Sequence, residues 1–178
     1  MIPLHDDNPT VITPVLTVTF IVTCVLVFVW QLSLGDDLER MVLALGAIPA
    51  TVVGGATLAP ELQLIPPWMT IFTSMFMHGG FMHLLGNMLY LHIFGDNIEN
   101  LMGHLRYLIF YLTCGVLASL AHVFTSAALD ADLLVPSLGA SGAISGVLGG
   151  YLLLFPKRRV RVLIMRFVSE VPALVAIG

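Results

Sequence analysis

Long apolar runs alternate along the chain with short segments that are polar or rich in glycine and proline. The first run contains no Lys or Arg and is long enough to cross the roughly 30 Å hydrocarbon core of a bilayer as a helix. From the whole pattern we predict four complete transmembrane helices and a partial fifth, at about residues 13–34, 81–95, 105–128 and 139–155 and from about 162. The predicted fold class is an all-α polytopic membrane protein, one domain covering residues 1–178.

The segments between these runs predict loops of different kinds. Residues 35–67 contain four prolines and the Gly54-Gly55 pair, and the apolar patches between these breakers are too short to span a bilayer. We predict that this segment is a long, partly apolar loop lying at the membrane interface. The polar residues 95–100 predict a turn after the second helix.

Composition supports membrane insertion and excludes some functions. The chain is 58% hydrophobic and 10% charged, with a mean hydropathy of +0.98. Soluble domains carry about 25% charged residues, so a water-soluble fold is excluded and the lipid bilayer is the predicted surrounding. No basic run is interleaved with stacking aromatic residues, which excludes nucleic acid as a predicted partner.

The positions of the basic residues predict the orientation in the membrane. Six of the seven Lys and Arg residues lie in the loops near 96–106 and 156–166. Because basic loops favour the cytoplasmic side, we predict a cytoplasmic N-terminus in a multi-pass cell-membrane protein. The fourth helix then begins at the external face.

The second helix carries a polar pair, His83 and Asn87. Their i, i+4 spacing puts both side chains on one helix face among apolar neighbours. Such a pair is either a hydrogen-bonded contact between helices or a set of donors for a developing oxyanion. On the predicted topology, His83 lies near the outer end of its helix.

The fourth helix begins with Gly139-Ala140-Ser141-Gly142 and continues with glycines at every fourth position, Gly142, Gly146 and Gly150. This stripe predicts close packing against another helix, in which Ser141 is one more small residue. Alternatively Ser141 is a nucleophile at a helix N-terminus, where free N–H groups stabilise an anion. The remaining histidines do not converge as zinc ligands would, so we predict no metal site and no cofactor.

Three segments together resemble the rhomboid family of intramembrane serine proteases, of the bacterial type. They are residues 73–88 around the His83–Asn87 pair, the turn 95–99, and Gly139-Ala140-Ser141-Gly142. The resemblance covers essentially the whole chain in order and spacing. It implies a rhomboid-like helical bundle.

The resemblance also implies roles for individual residues. Ser141 would be the catalytic nucleophile, and His83 and Asn87, with the Ser141 backbone N–H, would form the oxyanion hole. His78, Gly139 and Gly142 would support the active site.

The implied function is an intramembrane serine endopeptidase that cleaves transmembrane protein substrates with a Ser–His dyad, in a bacterial inner membrane. The family carries the dyad histidine on a sixth helix, so we expect the chain to be truncated before its fifth and sixth helices are complete. A serine needs a base to become a useful nucleophile, so we expect the 178-residue chain alone to be inactive. The alternative is a non-catalytic rhomboid-like protein that binds transmembrane clients.

Overall fold

The computed structural model describes residues 1–129 and 131–177. Most of the described residues are helical, as the apolar runs predict, in the helices α1 Val15–Ser33, α2 Leu38–Leu45, α3 Pro49–Val52, α4 Thr70–Thr73, α5 Phe81–Met102, α6 His104–Leu129, α7 Ser141–Leu154 and α8 Ala173–Ile177. Three 3-10 turns accompany them, at Gly35–Asp37, Pro67–Met69 and Ser74–Phe76. Three strands form one antiparallel sheet in the order β1-β2-β3, with β1 Ile2–Asp6, β2 Arg159–Ile164 and β3 Phe167–Pro172.

Two helices in the described part of the chain, α1 and α6, are long and apolar enough to cross a membrane. The helix α7 is also apolar, but with 14 residues it is too short to be counted with these two. The predicted count of four complete transmembrane helices therefore stays a prediction. Residues 35–67, predicted as a loop, contain the short helices α2 and α3.

The core of the bundle is formed where α1, α5, α6 and α7 pack together. Aromatic rings fill much of it, and the rings of Phe20 and Tyr111 stack with their centroids 4.1 Å apart. Helix α7 turns its glycine stripe towards α6: a Cβ at Gly142 would lie 2.6 Å from the Cβ of Ala118. The close helix packing predicted from the glycine spacing is therefore confirmed.

Helix α5 does not stop where the sequence analysis placed its end. A turn was predicted at residues 95–100, but the helix continues to Met102 and ends before Gly103, whose φ is +74°. The polar residues of this segment stay helical because their side chains have partners elsewhere in the fold. Asn97 donates to Asp6 Oδ2 at 3.0 Å, and Asn100 Oδ1 accepts the N–H groups of residues 11 and 12.

Glu99 has the most extensive of these contacts, and its side chain is fully buried. Its carboxylate accepts the backbone N–H groups of Leu16 and Thr17 at 2.9 and 2.8 Å, and the Thr17 hydroxyl at 2.7 Å. His104 Nδ1 lies 2.6 Å from the same carboxylate. Glu99 therefore caps the first turn of α1, whose N-terminus has no cap from its own residues.

The prediction of a partial fifth helix from about residue 162 is wrong. The predicted all-α fold class is therefore also wrong for this segment. Strands β2 and β3 form a hairpin there, and β1 pairs with β2. Arg and Val alternate from Arg159 to Val162, so the strand buries Val160 and Val162 and exposes both arginines. This two-residue period suits a half-buried strand and not a helix, and Arg161 pairs across the hairpin with Glu170 at 3.0 Å.

Replacing Glu99 by Ala is expected to destabilise the fold because three donors of α1 lose a buried acceptor. A buried donor left without its acceptor costs about 1–3 kcal/mol, so the three donors together lose at least roughly 3 kcal/mol. Thermal unfolding in detergent micelles measures it, with Glu61→Ala, in an exposed loop, as the matched control. Equal melting temperatures for the two variants would contradict the capping role.

Two glycines of α7 provide a matched test of the α6–α7 contact. Ala at Gly146 would overlap the Cys114 side chain, whereas Ala at Gly149 meets nothing within 4 Å among the residues that the structure describes. We expect Gly146→Ala to cost about 1–3 kcal/mol through overpacking. Gly149→Ala should be neutral or stabilising by up to about 1 kcal/mol, because Ala favours helices. The unfolding free energies of the two variants, measured in micelles, test this expectation. A neutral Gly146→Ala would rule out the close contact between α6 and α7.

Candidate active site

The loop before α5 is held by a side chain from α1. The amide of Gln31, which is 3% exposed, accepts the backbone N–H of His78 at 3.0 Å and donates to the His78 carbonyl at 3.1 Å. Because both backbone groups of His78 bond to one side chain, the loop is fixed relative to α1. This loop leads directly into the first turn of α5, which carries His83.

The ring of His78 is buried beside that of His83. Their centroids are 5.2 Å apart in an edge-on arrangement. His78 Nδ1 donates to the Phe76 carbonyl at 3.3 Å, which leaves Nε2 as an acceptor with no hydrogen-bond partner among the described residues. Burial lowers the pKa of His78 to about 4; His83 adds to the shift, and the hydrogen bond to Phe76 opposes it.

His83 and Asn87 converge on Gly139. A Cβ at Gly139 would lie 2.7 Å from His83 Cε1, 2.8 Å from His83 Nε2 and 3.7 Å from Asn87 Nδ2. Gly139 also has a φ of +122°, so both its conformation and its neighbours require glycine. Its N–H donates to the Ser74 carbonyl at 2.9 Å. Asn87 is 8% exposed, and its Nδ2 has no hydrogen-bond partner in the described part of the chain.

Ser141 is the first residue of α7, two positions after Gly139. The first backbone hydrogen bond of the helix runs from the Ile144 N–H to the Ala140 carbonyl at 3.0 Å, so the N–H groups of residues 141–143 precede the helical ladder. Ser141 is exposed. Its carbonyl accepts the Ser145 hydroxyl at 2.7 Å, and Gly142 packs on α6.

A cavity of about 220 Å³ opens beside Ser141. Its polar lining comes from Ser119, His122 and Ser137, and its apolar lining includes Met75. His122 is not predicted from the sequence to belong to the site, because nothing in the spacing links α6 to Ser141. A histidine near the end of an apolar helix was the one available signal.

All six predicted site residues lie in this region, but not all of them are in contact. His83, Asn87 and Gly139 converge, His78 lies behind His83, and Gly142 contacts α6. Gln31 was missed although it is a polar residue inside a long apolar run. Among residues 1–129 and 131–177, no three His, Cys, Asp or Glu side chains are grouped so as to hold a metal ion.

The Rhomboid domain family matches residues 66–178, which is more than half of the chain. The chain is 36% identical over 103 residues to "Rhomboid protein 1, mitochondrial" of Saccharomyces cerevisiae, covering 58% of this chain and 29% of the yeast protein. It is 38% identical over 85 residues to "Rhomboid protease GluP" of Bacillus subtilis, covering 48% of this chain and 15% of that protein. "Putative rhomboid protease YdcA" of the same bacterium is 33% identical over 85 residues, covering 48% of this chain and 40% of that protein.

These matches define a membrane protein of a class that consists generally of intramembrane serine proteases. The chain belongs to the rhomboid family. It spans less than half the length of the curated relatives named above. No solved structure matches the chain.

The low pKa of His78 predicts a loss of stability in acid. In the unfolded chain this histidine has a pKa of about 6.5 and binds a proton below that pH. In the folded chain buried His78 is not protonated until the pH falls to about 4. Stability therefore falls as the pH drops through this window, by about 1–3 kcal/mol. Unfolding in micelles at pH 7 and pH 5 measures the loss, which should shrink in His78→Gln and persist in the exposed-site control His122→Gln. An unchanged loss in His78→Gln would contradict the assignment.

Proposed function

We propose that the protein is an intramembrane serine endopeptidase that cleaves transmembrane protein substrates. Ser141 attacks the scissile carbonyl, and His83 and Asn87, together with the Ser141 backbone N–H, stabilise the oxyanion that forms. His78, Gly139 and Gly142 support this arrangement. The reaction is peptide hydrolysis, so it needs water at the site and no cofactor.

The convergence of His83 and Asn87 on the residue two positions before Ser141 carries this proposal. Donors aimed at developing negative charge stabilise the transition state most when they are buried and fixed beforehand. Asn87 Nδ2 is buried and has no partner among the described residues, so it is available to donate to such a charge. The N–H groups of the first turn of α7 add further donors close by.

The general base in this proposal is a histidine beyond residue 178, which completes a Ser–His dyad. It accepts the proton of the Ser141 hydroxyl during attack and donates a proton to the leaving amine. The face of α7 that carries Ser141, Ser145 and Gly149 is exposed and small, which suits the close approach of a further helix. The 178-residue chain alone would then be inactive.

The proposed site is at the external face of a bacterial inner membrane, and the N-terminus is cytoplasmic. The basic residues support this orientation, because five of the seven lie between residues 157 and 166, directly after α7. The N-terminus of α7, with Ser141, is then on the opposite side. Substrates reach the cavity beside Ser141 from the lipid.

Reaction with a fluorophosphonate probe tests the nucleophile and the base together. We expect the product of the complete reading frame to be labelled, Ser141→Ala to be unlabelled, and the matched Ser145→Ala to be labelled. We expect no detectable labelling of the 178-residue chain, because loss of the histidine in subtilisin costs about 10⁶ in kcat.

Two outcomes would overturn parts of the proposal. Labelling of the 178-residue chain that is lost in His122→Gln would make His122 the base, since it lines the same cavity as Ser141. A complete product that folds but is neither labelled nor cleaves membrane-spanning peptides would favour the non-catalytic, client-binding alternative.

A further inference from the structure

The tip of the β2–β3 hairpin is a run of exposed apolar residues. Five consecutive residues, 164–168, are exposed, and four of them are apolar. The exposed fraction is 92% for Met165, 76% for Phe167 and 61% for Val168. Exposed apolar groups that are adjacent in space indicate a contact surface, whereas scattered ones do not.

The base of the same hairpin is firmly attached to the bundle, so the tip has a defined position. Val160 and Val162 of β2 are fully buried. Strand β1 pairs with β2 along this part, and the Ala173 N–H donates to the Arg158 carbonyl at 2.8 Å. The hairpin therefore projects its apolar end from a fixed platform.

The sheet must lie outside the hydrocarbon but close to it. Its outer strands β1 and β3 have open edges, and unpaired backbone groups are not tolerated in lipid. Only residues 155–158 separate α7 from β2, a reach of at most about 14 Å when fully extended. The headgroup layer on each side of the hydrocarbon is roughly 5–8 Å thick, so the base of the hairpin is held close to the membrane surface.

Charge on the hairpin and its linker fits an anionic surface. Arg159 and Arg161 pair with Glu170, at 3.8 and 3.0 Å. Lys157, Arg158 and Arg166 have no acidic partner within 4.0 Å among the described residues. Of these, Arg166 lies in the apolar tip, and Lys157 and Arg158 lie in the linker at the base of the hairpin. Exposed apolar groups combined with unpaired cations are typical of segments that bind the surface of anionic membranes.

We propose that the hairpin tip, residues 164–168, inserts into the membrane interface, with Arg166 of the tip and the basic groups of the linker bound to anionic phospholipid headgroups. Phe167, Met165 and Val168 enter the boundary between headgroups and acyl chains. Arg166, between them in sequence, remains at headgroup level. The insertion ties the sheet, and through it the end of α7, to one leaflet, whether or not Ser141 is a nucleophile.

Depth-dependent fluorescence quenching in liposomes tests the insertion. The single-tryptophan variant Phe167→Trp is made in a Trp30→Phe, Trp68→Phe background and reconstituted in phosphatidylcholine vesicles with and without phosphatidylglycerol. We expect blue-shifted emission and at least about twofold quenching by lipids brominated near the top of the acyl chain. The matched control is Leu4→Trp in the same background, an exposed apolar position in β1 of the same sheet, and it should be quenched less.

Charge reversal at Arg166 tests the electrostatic contribution to membrane binding separately from the insertion of the apolar side chains. Arg166→Glu in the Phe167→Trp protein should remove any extra quenching in phosphatidylglycerol vesicles, whereas Arg106→Glu, an exposed basic residue outside the hairpin, should not. Equal melting temperatures in micelles would show that these variants are folded.

Two results would overturn the proposal. One is water-like emission that brominated lipid does not change. The other is blue-shifted emission that depends on protein density and not on brominated lipid, which would show that a second copy of the chain covers the tip.

Discussion

A single buried carboxylate, that of Glu99, fixes how α1 lies on α5. It accepts two backbone N–H groups and a hydroxyl from the first turn of α1. A buried charge is tolerated only where it is paired or hydrogen-bonded. A shift of α1 along α5 would break these hydrogen bonds and leave the Glu99 carboxylate buried without partners, at a large cost in free energy. At the other end of α1, about 21 Å away at 1.5 Å per residue, Gln31 bonds the backbone of His78 just before α5 begins. The two antiparallel helices are thus clamped at both ends, and the loop that leads to His83 is positioned by the clamp.

The position of Ser141 depends on a second constraint, which is the absence of side chains. Gly142 lets α7 approach α6, and Gly139 lets the loop before α7 approach His83. Close packing of backbones leaves little freedom for the first turn of α7 relative to α5. Two independent contacts therefore bring the start of α7 to the His83–Asn87 face, one through glycines and one through the hydrogen bond from Gly139 to Ser74.

The parts of the fold that depend on local pattern were predictable, and those that depend on distant partners were not. The helices, the shared face of His83 and Asn87, and the glycine stripe follow from period and spacing. The continuation of α5 through Glu99 does not, because its partners Leu16 and Thr17 are more than 80 positions away. The hairpin after α7 was missed because the Arg–Val alternation is only four residues long and its stabilising strand β1 lies at the opposite end of the chain. Gln31 was overlooked for the same reason, since its partner is 47 residues away.

Four buried polar side-chain atoms have no partner among the described residues, and they are not confined to one end of the bundle, since Asn97 Oδ1 lies two residues from Glu99. Around Glu99 the carboxylate oxygens all have donors, as a structural site requires. Near Ser141, Asn87 Nδ2 and His78 Nε2 are buried without partners among the described residues, and they are two of four such atoms. Each unsatisfied atom costs about 1–3 kcal/mol of stability. Stability alone would therefore favour a residue without such an atom at that position. In the proposed reaction, Asn87 Nδ2, which faces Gly139, would gain its partner from the oxyanion. The cost of leaving it unpaired supports a site organised for the transition state and not for the resting chain.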